Sequence, residues 1–199
     1  MTRLTRQENQ QVTRRRLRSA AALAFAHRGV GAASVDAIAE AAGFSRGAFY
    51  SNYTNKEDLL LELMEEEQIG EIDVWASLIK KASDLDSLLP MLEERFDRLH
   101  DRDGRELLMM ELQLEAARNK AFGAAYEVSS TKELAMMATV IQALAEKAGN
   151  PNIDAASIAI ALRALSIGLA GKSSTGQRDK SRGEIVTMFL RHALGHAPK

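Results

Sequence analysis

Residues 34–60 read SVDAIAEAAGFSRGAFYSNYTNKEDLL, and this segment predicts two short helices joined by a tight turn. Ser34 and Ser45 are of the type that begins helices, because a serine hydroxyl accepts a hydrogen bond from a free backbone N–H of the first turn. Gly43 lies between them and tolerates the positive φ that such a turn requires. This spacing is typical of a helix-turn-helix, whose second helix fits the major groove of DNA.

The remainder of the chain also reads as helix. Only three prolines occur in 199 residues, and helix-favouring residues dominate without the alternation expected of strands. We therefore predict an all-α protein of about nine helices. A three-helix DNA-binding domain would span residues 1–54, and a larger ligand-binding and dimerisation domain would span residues 55–199. Outside the quoted segment the predicted helices are 13–27, 55–81, 85–101, 104–118, 121–148, 154–170 and 183–195.

Charge is divided unevenly along the chain. Residues 1–56 hold nine Lys or Arg against three Asp or Glu, a net +6, and because the whole chain carries −1, the rest carries −7. A basic N-terminal region on an acidic body is expected when only the former meets a polyanion. A chance bias of the surface remains the alternative interpretation.

Several functional classes lack support in the sequence. There is no cysteine, hence no disulfide and no thiolate metal site, and we find no phosphate loop, nucleophile elbow or HExxH helix. We predict no catalytic residue, metal or cofactor, and therefore no enzyme. Residues 1–10 lack the apolar core of a signal peptide, and the apolar stretch 155–170 is interrupted by Arg163. A cytoplasmic protein without a membrane partner is expected.

The second helix of the predicted motif carries the residues that would read DNA. Arg46 is the one side chain there that can make a bidentate contact with guanine, and Gly47 and Ala48 would let the backbone approach the bases. Arg46 as an ordinary solvated residue, Tyr50 as a core residue and Arg14 as part of a solvated face remain alternatives. The candidate DNA-contacting residues are Ser34, Ser45, Arg46, Gly47, Ala48, Tyr50, Asn52, Lys56 and Arg14.

These residues carry a family resemblance. Residues 13–60 closely resemble the N-terminal domain of the TetR/AcrR family, with departures at Asn52, where a His is usual, and at Tyr53, where a Phe is usual. The resemblance implies a transcriptional regulator, most often a repressor, that leaves its operator when a small molecule enters the body and shifts the fourth helix. The matching positions are Ile38, Ala39, Glu40, Ala41, Ala42, Gly43, Ser45, Gly47, Phe49, Tyr50, Lys56 and Leu59.

The last two helices carry more apolar residues than one chain is expected to bury, which predicts a homodimer. The family resemblance also implies a dimer joined through the last two helices. The two DNA-binding domains would then read a palindromic operator whose half-sites lie about 34–36 Å apart or a multiple of that. The alternative is a monomer with a central penultimate helix. The predicted interface residues are Leu162, Leu165, Leu169, Val186, Phe189, Leu190 and Ala193.

In the resembling family the middle helices enclose a pocket for a small effector, which we expect to be hydrophobic here. Plain core packing is the alternative for every pocket candidate. A helical enzyme or ligand carrier that keeps the N-terminal domain only for packing is the alternative function. The predicted pocket residues are Trp75, Phe96, Met109, Leu112, Phe122, Tyr126, Met137 and Ile141.

Overall fold

The computed structural model describes residues 5–100, 105–172 and 180–195, and the regular elements in these ranges are all α-helices. The prediction of an all-α chain with about nine helices is confirmed for this part of the sequence. The nine helices are α1 (Arg6–Ala32), α2 (Val35–Ala41), α3 (Arg46–Tyr50), α4 (Lys56–Lys81), α5 (Leu85–His100), α6 (Arg105–Arg118), α7 (Lys120–Lys147), α8 (Ala155–Lys172) and α9 (Arg182–Ala193).

Most helices begin and end where the capping residues predict. Asn55 Oδ1 accepts a hydrogen bond from the N–H of Asp58 at 2.7 Å, and Asn119 Oδ1 accepts one from Phe122 at 3.2 Å. Gly149 has a φ of +75° just after α7. The predicted break at 101–104 and residues 173–179 of the predicted loop 171–183 lie outside the described residues.

The first helix is longer than predicted. It begins at Arg6 instead of about residue 13, because Thr5 and Glu8 form a capping box in which each side chain accepts the other residue's N–H, at 3.2 and 2.6 Å. Gly29 breaks the helix with a φ of +76°, but one further turn follows before the chain leaves the helix at Ala32. The polar start of α1 has no apolar stripe that would reveal it as helix.

The described residues fall into two compact units, one made of residues 5–66 and 105–126, the other of residues 67–100, 127–172 and 180–195. This division differs from the predicted boundary after residue 54, since α6 packs against α1 in the first unit. Leu108 and Leu112 of α6 are buried there together with Phe25 of α1. The short helices α2 and α3 offer little apolar surface to bury, and α6 extends the core that they form with α1.

In the second unit α9 packs against α5 and α8. The contact with α5 is a close backbone approach at Gly183, where an ideal Cβ would lie 2.7 Å from the carbonyl carbon of Glu93 and closer still to its oxygen. The N–H of Gly183 donates to Asp97 Oδ1 at 2.8 Å. Only glycine lets the two backbones meet at this distance.

Candidate nucleic-acid interface

The turn between α2 and α3 is built by Gly43, whose φ is +78°. The N–H of Gly43 donates to the carbonyl of Glu40 at 2.9 Å, and the N–H of Phe44 donates to that of Ala39 at 2.8 Å. This is the Schellman arrangement, which satisfies the carbonyls at the end of a helix while redirecting the chain. Ala39 and Ala42 are buried at this crossing, where small side chains allow α2 and α3 to approach each other closely.

The outward face of α3 matches the helix-turn-helix prediction. Arg46 and Gly47 are exposed, Ala48 is half-buried, and Phe49 is fully buried beneath them. Ser45 Oγ accepts the N–H of Ala48 at 3.2 Å and thereby begins the helix as predicted. Tyr50 is 47% exposed, which rules out the alternative that it is a core residue.

Arg46 is held on two sides in the described structure. Its Nη1 donates to Asp36 Oδ2 at 2.7 Å, and its guanidinium carbon lies 5.5 Å from the centroid of the Tyr50 ring. This ring distance allows a cation–π interaction. Sequence reasoning did not single out Asp36, although its place in the first turn of α2, just after Ser34, puts it next to the start of α3.

An open cleft of about 410 Å³ brings three predicted DNA-contacting residues together. Ser34, Tyr50 and Lys56 line it, along with the end of α1 and the start of α4. Ser34 Oγ accepts the N–H of Ala37 at 3.1 Å, so the hydroxyl begins α2 as predicted. The Ser34 hydroxyl can still donate its own proton, and a contact to a phosphate would use that proton.

Lys56 is already engaged inside the protein. Its Nζ donates to the carbonyl of Val30 at 2.6 Å and lies 3.4 Å from those of Gly31 and Ala33. At the other end of the same turn, Glu111 Oε2 accepts the N–H of Val30 at 3.0 Å. An acid at the start and a base at the end stabilise this last turn of α1. Sequence spacing could not reveal Glu111, which is 81 residues from Val30.

Two further predicted contact residues have internal partners. Arg14 donates to the carbonyl of Asn52 at 2.7 Å, pairs with Glu62, and lies 4.5 Å above the ring of Tyr53. The side-chain amide of Asn52 donates to the carbonyl of Ala48 at 2.7 Å. Arg14, Asn52 and Lys56 therefore stabilise the fold of the first unit, and their contacts to DNA stay predictions.

Tyr53 packs its ring as the resemblance implies, 5.6 Å from the ring of Phe49. Burial, reinforced by the nearby Glu62 carboxylate, raises the pKa of Tyr53 to about 12. The phenol therefore stays neutral in any physiological solution.

The predicted pocket residues do not form one group. Met109, Leu112, Phe122 and Tyr126 belong to the apolar cluster of the first unit, and the other four belong to that of the second. Leu112, Phe122 and Ile141 are almost fully buried, which favours the alternative of plain core packing for these three. The four in the second unit are Trp75, Phe96, Met137 and Ile141.

The predicted interface residues differ in burial. Leu162, Leu169, Val186 and Leu190 are buried in the core of their own unit, which leaves little of their surface for a second copy. Leu165, Phe189 and Ala193 are half-buried. The place of these residues in a dimer interface stays a prediction. The outer face of the two helices is apolar at Ile160, 57% exposed, and Met188, 55% exposed.

The described residues offer neither a metal site nor a membrane-spanning helix. They contain no group of three or more His, Cys, Asp or Glu side chains placed to hold a metal ion. None of their helices combines the length and the apolar sequence that a bilayer crossing requires.

The chain was compared with known proteins. A family model described as bacterial regulatory proteins, tetR family, matches residues 17–63, which span α2, α3 and parts of α1 and α4. The HTH-type transcriptional regulator AcrR of Shigella flexneri is 34% identical over 111 residues, which cover 55% of this chain and 51% of that protein. The match therefore spans about half the length of this curated relative.

Solved structures show the same fold over nearly the whole chain. The fatty acid degradation regulator FadR of Bacillus halodurans superimposes with a TM-score of 0.74 at 20% identity, covering 92% of this chain and 95% of that one. FadR of Bacillus subtilis, solved in complex with stearoyl-CoA, gives 0.73 at 16% identity, covering 92% and 99%. At these identities the likeness establishes the fold.

Proposed function

We propose that this chain is a transcriptional regulator of the TetR/AcrR type, which binds a palindromic operator as a homodimer and is released by a small effector. The proposal is supported by the match of residues 17–63 to the tetR family model and by the 34% identity to AcrR over 111 residues. The observation that carries the proposal is the outward face of α3, where Arg46 and Tyr50 stand exposed above the buried Phe49. The family is one of regulators rather than enzymes, and we assign no catalytic role.

Gly47 supports a DNA-binding role for this face. A Cβ at Gly47 would meet only Ser45 Oγ, at 3.7 Å, which is an ordinary contact. Its φ is not positive, so neither packing nor backbone conformation requires a glycine there. A glycine costs helix stability, and an exposed one with no internal reason fits a surface that a partner approaches closely. The edges of base pairs in the major groove are such a partner.

The charges of the first unit fit the same role. Arg14, Arg18 and Lys56 have partners inside the protein. We therefore propose that the phosphates are contacted mainly by Tyr50, Ser34 and the exposed arginines of α1. Arg15 and Arg16 are both exposed on that helix. Contacts to phosphate fix the orientation of the protein on DNA, whereas Arg46 would select the base.

Dimerisation is proposed through the outer face of α8 and α9. Ala156, Ile160, Ala164 and Gly168 follow each other at intervals of four and are all exposed, so they share one face of α8. Met188 of α9 adds a second large exposed apolar side chain. Small residues beside one large side chain allow two helices to approach closely. An exposed apolar surface of this kind is typical of an interface.

The dimer is tested by light scattering of the full chain. Ile160→Glu should shift the mass from two chains towards one, because the substitution places a charge in the proposed interface. Leu107, on α6, is 49% exposed, so Leu107→Glu is the matched control and should leave the mass unchanged. A monomeric wild-type protein, or a dimer that tolerates Ile160→Glu, would rule out this interface.

Effector release follows from differential affinity. A small molecule that binds the DNA-free state more tightly than the DNA-bound state must lower operator affinity by the same factor. The structures of relatives with stearoyl-CoA and with choline concern those proteins. For this chain we propose only a small effector with a large apolar part, matching the apolar composition of the second unit.

DNA binding itself is tested by the dependence of affinity on salt. The full chain should bind a labelled duplex, and the logarithm of the binding constant should fall linearly with that of salt concentration, with a slope of about −0.9 per phosphate contacted. Weak binding with a flat salt dependence would favour the alternative of a helical ligand carrier. The measurement uses fluorescence anisotropy between about 50 and 300 mM salt.

A further inference from the structure

Asp36 and Arg46 join two successive helices at their exposed ends. Asp36 lies in the first turn of α2 and Arg46 begins α3, and their side chains meet at 2.7 Å between Oδ2 and Nη1. The Tyr50 ring borders the same guanidinium at 5.5 Å. One edge of Arg46 is therefore bound to a carboxylate and one side faces an aromatic ring.

Stability does not account for this ion pair. The Arg46 side chain is 60% exposed and that of Asp36 is 61% exposed, and ion pairs so open to solvent contribute little to folding because water and salt screen them. An acid on the proposed DNA-facing surface also repels phosphate. It is one of only three acids in residues 1–56. Its position beside the proposed base-reading arginine indicates a role in binding.

The chemistry of a guanidinium suggests that role. Arginine presents five N–H donors in a planar fork, and the fork can donate to two groups along different edges at the same time. With Nη1 bound to Asp36, the remaining donors, on Nη2 and Nε, are available to the O6 and N7 acceptors of guanine. The Asp36 carboxylate fixes one edge of the guanidinium and so limits the rotamers of free Arg46. The entropy that the side chain loses when it binds a base is therefore smaller.

We propose that Asp36 is a positioning residue that sets base specificity by holding Arg46 in the orientation that reads guanine. The inference rests on the proposed DNA-binding function and adds to it the residue that orients the reader. Asp36 also disfavours binding modes in which a phosphate or a base acceptor approaches the Nη1 edge of Arg46. A carboxylate has no proton to donate to such an acceptor. Its removal should act in two directions, weakening selectivity while strengthening non-specific binding.

The test compares Asp36→Asn with Glu40→Gln in the full chain. Both variants remove one negative charge from α2, and Glu40 is exposed at the far end of that helix. Affinity is measured by fluorescence anisotropy for a selected operator, for the same operator with the guanine replaced, and for a random duplex. The specificity ratio is the affinity for the operator divided by the affinity for the operator with the guanine replaced. Asp36→Asn should lower this ratio by about 3- to 10-fold, which is part of the discrimination that a bidentate arginine supplies. It should raise the affinity for the random duplex, whereas Glu40→Gln should leave the ratio unchanged.

A second comparison places Asp36→Asn in an Arg46→Ala background. If Asp36 acts through Arg46, the added substitution should leave the ratio as it is in Arg46→Ala alone. A ratio that falls equally in both backgrounds, or that Asp36→Asn leaves untouched in the wild type, would overturn the positioning role while sequence-specific binding stands. A wild-type protein with no preference among duplexes would overturn the proposed function and this inference together. Thermal unfolding checks that the variants remain folded.

Discussion

The tripeptide Ser-Arg-Gly begins two helices of this protein, once in each unit. Ser45-Arg46-Gly47 begins α3, and Ser181-Arg182-Gly183 begins α9. Both serine hydroxyls accept the N–H of the third residue after them, at 3.2 Å in α3 and 3.0 Å in α9. The local structure of the two segments is therefore nearly the same.

Their surroundings are opposite. Arg46 is exposed, while Arg182 is 7% exposed and its Nη2 donates to the carbonyl of Ser166 at 3.2 Å. A Cβ at Gly47 would make only an ordinary contact with Ser45 Oγ, whereas a Cβ at Gly183 would overlap the backbone of Glu93. The same three residues thus present a surface in one unit and close a helix contact in the other. The local sequence specifies where a helix begins. The neighbouring helices determine whether that beginning is exposed to solvent or buried in a helix contact.

The largest expected difference between the two segments is the response of their glycines to a methyl group. Gly183→Ala should destabilise the fold by about 3 kcal/mol or more, because the Cβ overlaps the Glu93 carbonyl and α5 and α9 must separate. For a chain of this length that corresponds to a fall in Tm of about 6–12 °C, measured by circular dichroism. An unchanged Tm would show that the close backbone approach is not needed.

The arginines should separate stability from recognition. Arg46→Ala should leave the Tm unchanged and cost about 1–3 kcal/mol of discrimination at one base position. Arg182→Ala should do the reverse, lowering the free energy of unfolding by about 2 kcal/mol because a buried, hydrogen-bonded side chain is lost. Anisotropy titrations and thermal melts of both variants test this. Identical phenotypes for the two would refute the contrast.

Gly47→Ala is the counterpart of the first substitution. The added methyl meets no clash and alanine favours helix, so stability should stay the same or rise by up to about 1 kcal/mol. Operator affinity should nevertheless fall by about tenfold, equivalent to about 1.4 kcal/mol, since the methyl would hold the backbone away from the bases. Full operator affinity in this variant would mean that DNA does not approach α3 at Gly47.

The smallest expected effect concerns pH. Glu184 closes a capping box with Ser181 at the start of α9, whereas α3 has Ala48 at the equivalent place. Hydrogen bonds from Lys180 and then from the Ser181 N–H lower the pKa of Glu184 below its usual 4.5. A depressed carboxyl pKa contributes stability above the unfolded-state value and loses it as pH falls through the folded-state value.

Glu184→Gln should therefore lower the Tm most at neutral pH, and the gap to the wild type should close as the pH falls below about 4. Thermal melts of both proteins across this range measure the gap. A gap that is independent of pH would show that the carboxylate charge contributes nothing to the start of α9.

Short-range features of the fold could be predicted from the sequence because each depends on neighbours within a few residues. Ser34, Ser45 and Asn55 begin helices through their own side chains, and Gly43 makes the turn through its own φ. The exposure of Tyr50 and the burial of Phe49 follow from the periodicity of one short helix.

Long-range features could not be predicted in the same way. Glu111 reaches Val30 across 81 residues, and no spacing rule connects them. Lys56 has the composition of a phosphate-contacting residue, yet the free carbonyls at the end of α1 engage it first. Apolar residues occur on all sides of α8 and α9. The sequence alone therefore does not show which face is buried within one chain and which face stays exposed.

The central claim is that α3 reads a symmetric DNA sequence on behalf of a dimer. Selection of bound duplexes from a random pool, with the full chain at about physiological salt, tests it most directly. The account predicts enrichment of a palindrome whose half-sites lie one helical turn apart or a multiple of it, with a guanine at matching positions in both halves. A pool that stays random, or an enriched sequence without symmetry, would contradict it.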